Sequence, residues 1–105
     1  MNGATNINRF SDLSPDMQEK LLDYIADRFS MRPSINPNRN GYGLKAQFVS
    51  LYCTAETGHV TTECFMEAMV KSGYKAVYID TKTVDGLKDY RYNVYVKKSW
   101  KKPKL

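Results

Sequence analysis

The sequence predicts an α+β fold in which three helices are followed by a β-hairpin. Three segments before Gly73 carry apolar residues at helical spacing, and after residue 74 the spacing changes to alternation. The length of 105 residues is that of one domain. We therefore predict a flexible N-terminal arm over 1–13, a single domain over 14–97 and a basic C-terminal tail over 98–105.

The first predicted helix begins after Ser14. Serine is a preferred N-cap residue, and Pro15 suits the first helical position. Apolar residues at intervals of four then continue the helix; they are Met17, Leu21, Ile25 and Phe29. The segment from Met31 to Gly41 contains prolines and asparagines, and we interpret it as a loop with exposed Arg32 and Arg39.

The second predicted helix runs from about Tyr42 to Cys53. Leu44, Phe48 and Leu51 form its buried stripe, and Lys45 is expected to point outward. Val60 is expected in a short extended contact.

The third predicted helix is capped by Thr61 or Thr62 and continues to about Ser72. Gly73 then occupies the position where a left-handed C-cap glycine is expected. Residues 75–81 and 90–97 alternate as strands, with the turn residues Asp85 and Gly86 between them.

This order of elements is winged-helix-like. The short turn between the second and third helices fits a helix-turn-helix unit, and the hairpin would be the wing. A plain α+β scaffold, in which the hairpin only covers the core, gives the same order, so both versions stay open.

Residues 42–74 resemble part of a known group of small proteins. The matching positions are Tyr42-Gly43-Leu44-Lys45, His59-Val60-Thr61, Phe65, Ala68-Met69 and Gly73-Tyr74. In these residues the chain resembles small uncharacterised proteins of phages and other mobile elements in Gram-positive bacteria, which have a helix-turn-helix-like core. The resemblance implies a mobile-element origin and a helix-strand-helix core, and it implies no catalytic residue.

The net charge of +5 is concentrated at the end of the chain. Residues 1–60 contain as many acidic as basic residues, whereas five lysines without an acid follow residue 96. Lysines contact phosphates, and the indole of Trp100 can stack on a base. The predicted nucleic-acid-binding residues are Arg39, Lys45, Lys82, Lys88, Arg91, Lys97, Lys98, Trp100, Lys101 and Lys102.

Catalytic and metal chemistry is not indicated. The sequence has no P-loop, no GxGxxG and no HExxH motif. Cys53, His59 and Cys64 are too few ligands for structural zinc. Cys64, near a helix N-terminus, could have a lowered pKa, but no orienting group accompanies His59. We expect no enzyme, no cofactor, no bound metal and two free thiols.

Two functions remain open. The first is binding of duplex DNA with low specificity through the hairpin and the lysine-rich tail. The predicted recognition helix exposes Glu63 and Glu67, which would repel phosphates and limit sequence discrimination. The alternative is an anti-CRISPR-like inhibitor that binds a host nuclease or another defence protein. We expect a cytoplasmic protein in either case, because no membrane span or secretory signal is visible.

Overall fold

A computed structural model describes residues 6–79, 88–98 and 100–101, and three α-helices lie within them. The helices are α1 Pro15–Arg28, α2 Gly41–Tyr52 and α3 Thr62–Lys71, and a short 3-10 helix spans Phe10–Asp12. The strands are β1 Asn6–Ile7, β2 Phe29–Met31, β3 His59–Val60, β4 Ala76–Ile79, β5 Asp89–Tyr92 and β6 Val94–Val96. Among the described residues we find no helix with the length and apolar content of a membrane span.

Local capping groups position the three helices. The side chains of Ser14, Asn40 and Thr61 each accept a hydrogen bond from the backbone N–H three residues further on, at 2.9 to 3.3 Å. Gly73, with φ of 96°, follows α3 in the left-handed conformation that terminates helices. The starts predicted at Ser14 and Thr61 and the stop predicted at Gly73 are therefore confirmed.

The fold is α+β, but the predicted order of three helices followed by a hairpin is wrong, because strands lie between the helices. β1 pairs in parallel with β3, and β2, directly after α1, pairs antiparallel with β6. β4 and β5 pair antiparallel as the predicted hairpin requires, with Tyr78 opposite Tyr90, and the predicted turn at Asp85 and Gly86 lies outside the described residues. The winged-helix topology is therefore not the topology of this chain.

Asn93 divides the segment that the sequence predicts as one strand over 90–97. Its side-chain oxygen accepts a hydrogen bond from the Lys75 N–H at 2.8 Å, and its carbonyl accepts one from the Arg32 N–H at 3.0 Å. Tyr92, Asn93 and Val94 are all buried, so the alternation of buried and exposed residues is interrupted at Asn93. β5 and β6 consequently pair with different strands although they are consecutive in sequence.

Residues 6–13, which the sequence assigns to the flexible arm, pack against the domain. Phe10 and Leu13 are buried, and the Phe10 N–H donates to the Glu67 carboxylate at 2.7 Å. The Thr61 N–H donates to the Ile7 carbonyl at 3.2 Å, next to the β1–β3 pair. Residues 1–5 lie outside the described residues.

The hydrophobic core lies where the three helices meet β5 and β6. Its fully buried members come from every one of these elements and include Leu21, Ile25, Phe48, Phe65, Met69, Tyr92 and Val94. Aromatic rings contact one another at the centre of this core, with Phe65 and Tyr92 at 6.1 Å between centroids. The apolar stripes predicted for the helices are thus confirmed at Leu21, Ile25 and Phe48, whereas Leu51 is only partly buried.

Lys45 lies in the buried face of α2 and not on its outer face, so the prediction that it points outward is wrong. Its side chain is only 3% exposed, with Nζ 4.7 Å from the Tyr42 ring centroid and 3.5 Å from His59 Nε2. The buried Asp89 carboxylate accepts a hydrogen bond from the Tyr42 N–H. Burial raises the pKa of Asp89, and the Lys45 charge partly offsets that rise.

We expect Tyr92→Phe to leave the free energy of unfolding unchanged or to raise it by up to about 1 kcal/mol. The Tyr92 hydroxyl is buried and has no hydrogen-bond partner among the described residues, so folding removes it from water without compensation. Urea denaturation followed by circular dichroism measures the change.

Tyr24→Phe is the matched control for this variant. The buried Tyr24 hydroxyl donates to the Leu44 carbonyl at 2.9 Å, so its removal leaves an acceptor without its donor. We expect Tyr24→Phe to lower the free energy of unfolding by about 1 kcal/mol. Equal destabilisation by the two variants would contradict the assignment of an uncompensated hydroxyl to Tyr92.

Candidate nucleic-acid interface

A concave surface lies between residues 32–40, which connect β2 to α2, and the end of β6. Its volume is about 410 Å³. Its lining residues are Arg32, Asn36, Asn38, Arg39, Tyr95, Val96, Lys97 and Lys98. We call this surface the basic groove, because four of its lining side chains are cationic and none is acidic.

Asn36 fixes the loop side of the basic groove. Its backbone N–H donates to the Tyr92 carbonyl at 2.8 Å, and its buried side-chain amide donates to the Val94 carbonyl at 3.0 Å. The Asn36 side-chain oxygen accepts the N–H of Asn38 at 2.9 Å, which forms a local turn. The loop is therefore anchored on both β5 and β6.

Lys97 fixes the opposite side of the groove. Its backbone N–H donates to the Arg28 carbonyl at 2.8 Å, and its Nζ donates to the Ala26 carbonyl at 3.2 Å. Both acceptors lie in the last turn of α1, where carbonyl groups lack helical partners and favour a cation. The lysine that begins the basic end of the chain is thereby held against the domain.

The groove cations are not neutralised by carboxylates of the described residues. Among the described residues, ion pairs join Arg9 to Glu67 at 3.0 Å and Lys20 to Asp16 at 2.9 Å. Neither pair includes a residue of the basic groove. The Arg32 guanidinium donates to the neutral Ser34 hydroxyl at 3.4 Å. The surface therefore keeps a positive potential that attracts anions.

The structure brings three of the predicted binding residues together in the basic groove: Arg39, Lys97 and Lys98. Lys88 and Arg91 are exposed on the β4–β5 hairpin, away from the groove lining. Lys88 Nζ lies 5.7 Å from the Tyr78 ring centroid. The hairpin thus carries a separate group of cations.

The remaining predicted binding residues have different positions. Lys45 is buried, which removes it from any surface that could contact a polyanion. Lys101 is exposed, and Lys82 and Lys102 lie outside the described residues.

Trp100 packs against α1 and is only partly accessible. Its ring centroid lies 5.9 Å from that of Tyr24 and 4.6 Å from the Arg28 guanidinium carbon. The aromatic side chain in the basic groove is instead Tyr95, which is 48% exposed. The sequence places Tyr95 and Lys97 on one strand face, and it places Tyr95 among the tyrosines that neighbour the basic residues of the hairpin.

The carboxylates of α3 that the sequence places on an exposed face are engaged within the protein. Glu63 accepts a hydrogen bond from the Tyr90 hydroxyl at 3.2 Å. Glu67 accepts from the Arg9 side chain and from the Phe10 N–H. Both glutamates are partly buried, so they are less exposed than the sequence predicts.

The two cysteines are free thiols with raised pKa values. Burial, with a smaller effect of the Glu67 charge, raises the pKa of Cys64 to about 12, which is opposite to the lowered pKa that its place near a helix N-terminus suggests. Burial also raises the pKa of Cys53. Both thiols are therefore protonated at neutral pH, which disfavours nucleophilic chemistry there. In the described part of the chain, no three His, Cys, Asp or Glu residues are grouped to hold a metal ion.

Comparison of the chain with protein-family models, curated proteins and solved structures found no match. The mobile-element origin suggested by residues 42–74 therefore stays a prediction.

Proposed function

We propose that the protein binds nucleic acid through the basic groove, by phosphate contacts of low sequence specificity. The observation that carries this proposal is the shared position of Arg32, Arg39, Lys97 and Lys98 on one concave surface without an acidic lining residue. Arginine binds phosphate through its planar fork of donors, and lysine does so as a point charge. Both interactions are independent of the base sequence.

The groove contains little that could distinguish one base pair from another. Sequence is recognised by side chains that reach base edges, most often from a helix in the major groove. The groove is built from a loop and a strand end, and the Asn36 amide already donates to Val94. We therefore expect the protein to bind duplex DNA of different sequences with similar affinity.

The expected result is a dissociation constant of about 1 to 100 µM for duplex DNA, with a strong dependence on salt. Four phosphate contacts give a slope of about −3.6 in a plot of log K against log salt, since each contact releases condensed counterions. Affinity should fall about 100-fold between about 50 and about 200 mM salt.

Fluorescence anisotropy with two labelled duplexes of unrelated sequence is the appropriate measurement. Equal affinities for the two duplexes and the steep salt dependence would support the proposal. Absence of binding at the lower salt concentration, or binding that does not change with salt, would refute it. The alternative function, inhibition of a defence protein, stays a prediction from the sequence.

A further inference from the structure

We propose that the basic groove accommodates an unpaired nucleic-acid strand, with one base stacked on the Tyr95 ring and the adjacent phosphates on the groove cations. This inference rests on the proposed function and identifies the form of nucleic acid that fits the groove best. Its basis is the position of one exposed aromatic ring among four cationic side chains.

Tyr95 lies at the centre of β6, opposite Ser30 of β2. Its neighbour Val94 faces the core, so the alternation of the strand directs Tyr95 outward. The β2–β6 pairing fixes the backbone on both sides of the residue. The ring is therefore presented by a regular strand rather than by a flexible segment.

The Tyr95 ring differs from that of the other strongly exposed tyrosine. Tyr78, which is 51% exposed, has the Tyr90 ring at 6.1 Å and the Lys88 ammonium at 5.7 Å. Among the described residues, no other ring and no cation stacks on Tyr95. Tyr95 is 48% exposed, so part of its side chain is accessible to a ligand.

An unpaired strand matches this combination of groups better than a duplex does. The faces of paired bases are covered within the helix stack, whereas an unpaired base can place its face against an aromatic side chain. Grooves that bind single strands combine cations along the backbone with such rings. Arg32 and Arg39, near the two ends of the anchored loop, both line the groove and supply cations for the phosphates of a bound strand.

The test compares three labelled probes of equal length, about 12 nucleotides or base pairs. They are oligothymidylate, oligouridylate and a blunt DNA duplex. We expect Tyr95→Val to reduce affinity for the single strands about fivefold or more, because a stacked base is lost, and to change duplex affinity less than about twofold. Tyr95→Phe keeps the ring and should retain the affinity of the original protein for all three probes.

Tyr78→Val is the matched control, since it replaces an equally exposed strand tyrosine outside the groove. It should leave affinity for all three probes unchanged. The ratio of oligothymidylate to oligouridylate affinity shows whether DNA or RNA is the better source of the strand. Circular dichroism of each variant establishes that the fold is retained.

Two outcomes would overturn the inference. One is an unchanged single-strand affinity in Tyr95→Val; the other is an equal loss for single strands and duplex. In either case, salt-dependent duplex binding by the original protein would leave the proposed function standing. Failure of the original protein to bind any of the three probes would refute the proposed function as well.

Discussion

Replacement of both Arg39 and Lys98 by glutamine is expected to weaken duplex binding at least about tenfold at low salt. The two side chains line the basic groove from opposite sides, and both are exposed, so their removal should not affect folding. Loss of two phosphate contacts should also reduce the slope of log K against log salt by about 2. Anisotropy titrations of the original protein and the double variant over a range of salt concentrations measure both quantities.

The double variant of Lys88 and Arg91 to glutamine is the control for this experiment. It removes the same net charge from exposed positions, but from the hairpin instead of the groove. We expect less than about a threefold loss of affinity, because removal of any two surface cations weakens the long-range electrostatic attraction to a polyanion. Equal losses in the two double variants would show that overall charge, and not the groove, determines binding.

Phe48→Ala is expected to lower the free energy of unfolding by about 3–5 kcal/mol. The Phe48 side chain is fully buried, with ring centroids of Tyr24 at 5.5 Å and Tyr52 at 5.1 Å. Its truncation removes apolar contacts and leaves a cavity between α1 and α2. Domains of this size are stable by about 5–15 kcal/mol, so the variant loses a large part of the total.

Urea denaturation of Phe48→Ala measures this loss of stability, and Tyr78→Ala is the control variant. Tyr78 is half exposed on β4, so its truncation should cost about 1 kcal/mol or less. A loss below about 1 kcal/mol for Phe48→Ala would contradict the position of this ring in the core.

The helices were predictable because their determinants are local. Ser14, Thr61 and Gly73 act on backbone groups within a few residues, and the apolar stripe of α1 repeats within one segment. β2 was not predictable in this way. Phe29 continues the interval of four from Ile25, so the sequence assigns it to the helix, whereas pairing with distant Val96 makes it a strand residue.

The charge of the candidate site was predictable, but its composition was not. Arg39, Lys97 and Lys98 are recognisable as cations outside the predicted core, yet their meeting with Arg32 and Tyr95 depends on the register between β2 and β6. Such a register is fixed by the folded chain and not by neighbouring residues.

The burial of Lys45 has a similar cause. Helical periodicity identifies the centre of a buried stripe but not its width. The buried Asp89 carboxylate, whose pKa the Lys45 charge lowers only to a minor extent, comes from a distant strand.

The hydrogen bonds of Asn36 have an energetic consequence for a ligand. A connecting segment on a protein surface ordinarily loses conformational entropy when it closes on a bound molecule. Here the segment is tied to Tyr92 and Val94 at its middle, and Asn40 caps the following helix. Because this segment is already ordered, less of the binding free energy is lost in ordering it, and affinity is higher. Association also needs no slow rearrangement of the segment, which favours a high association rate.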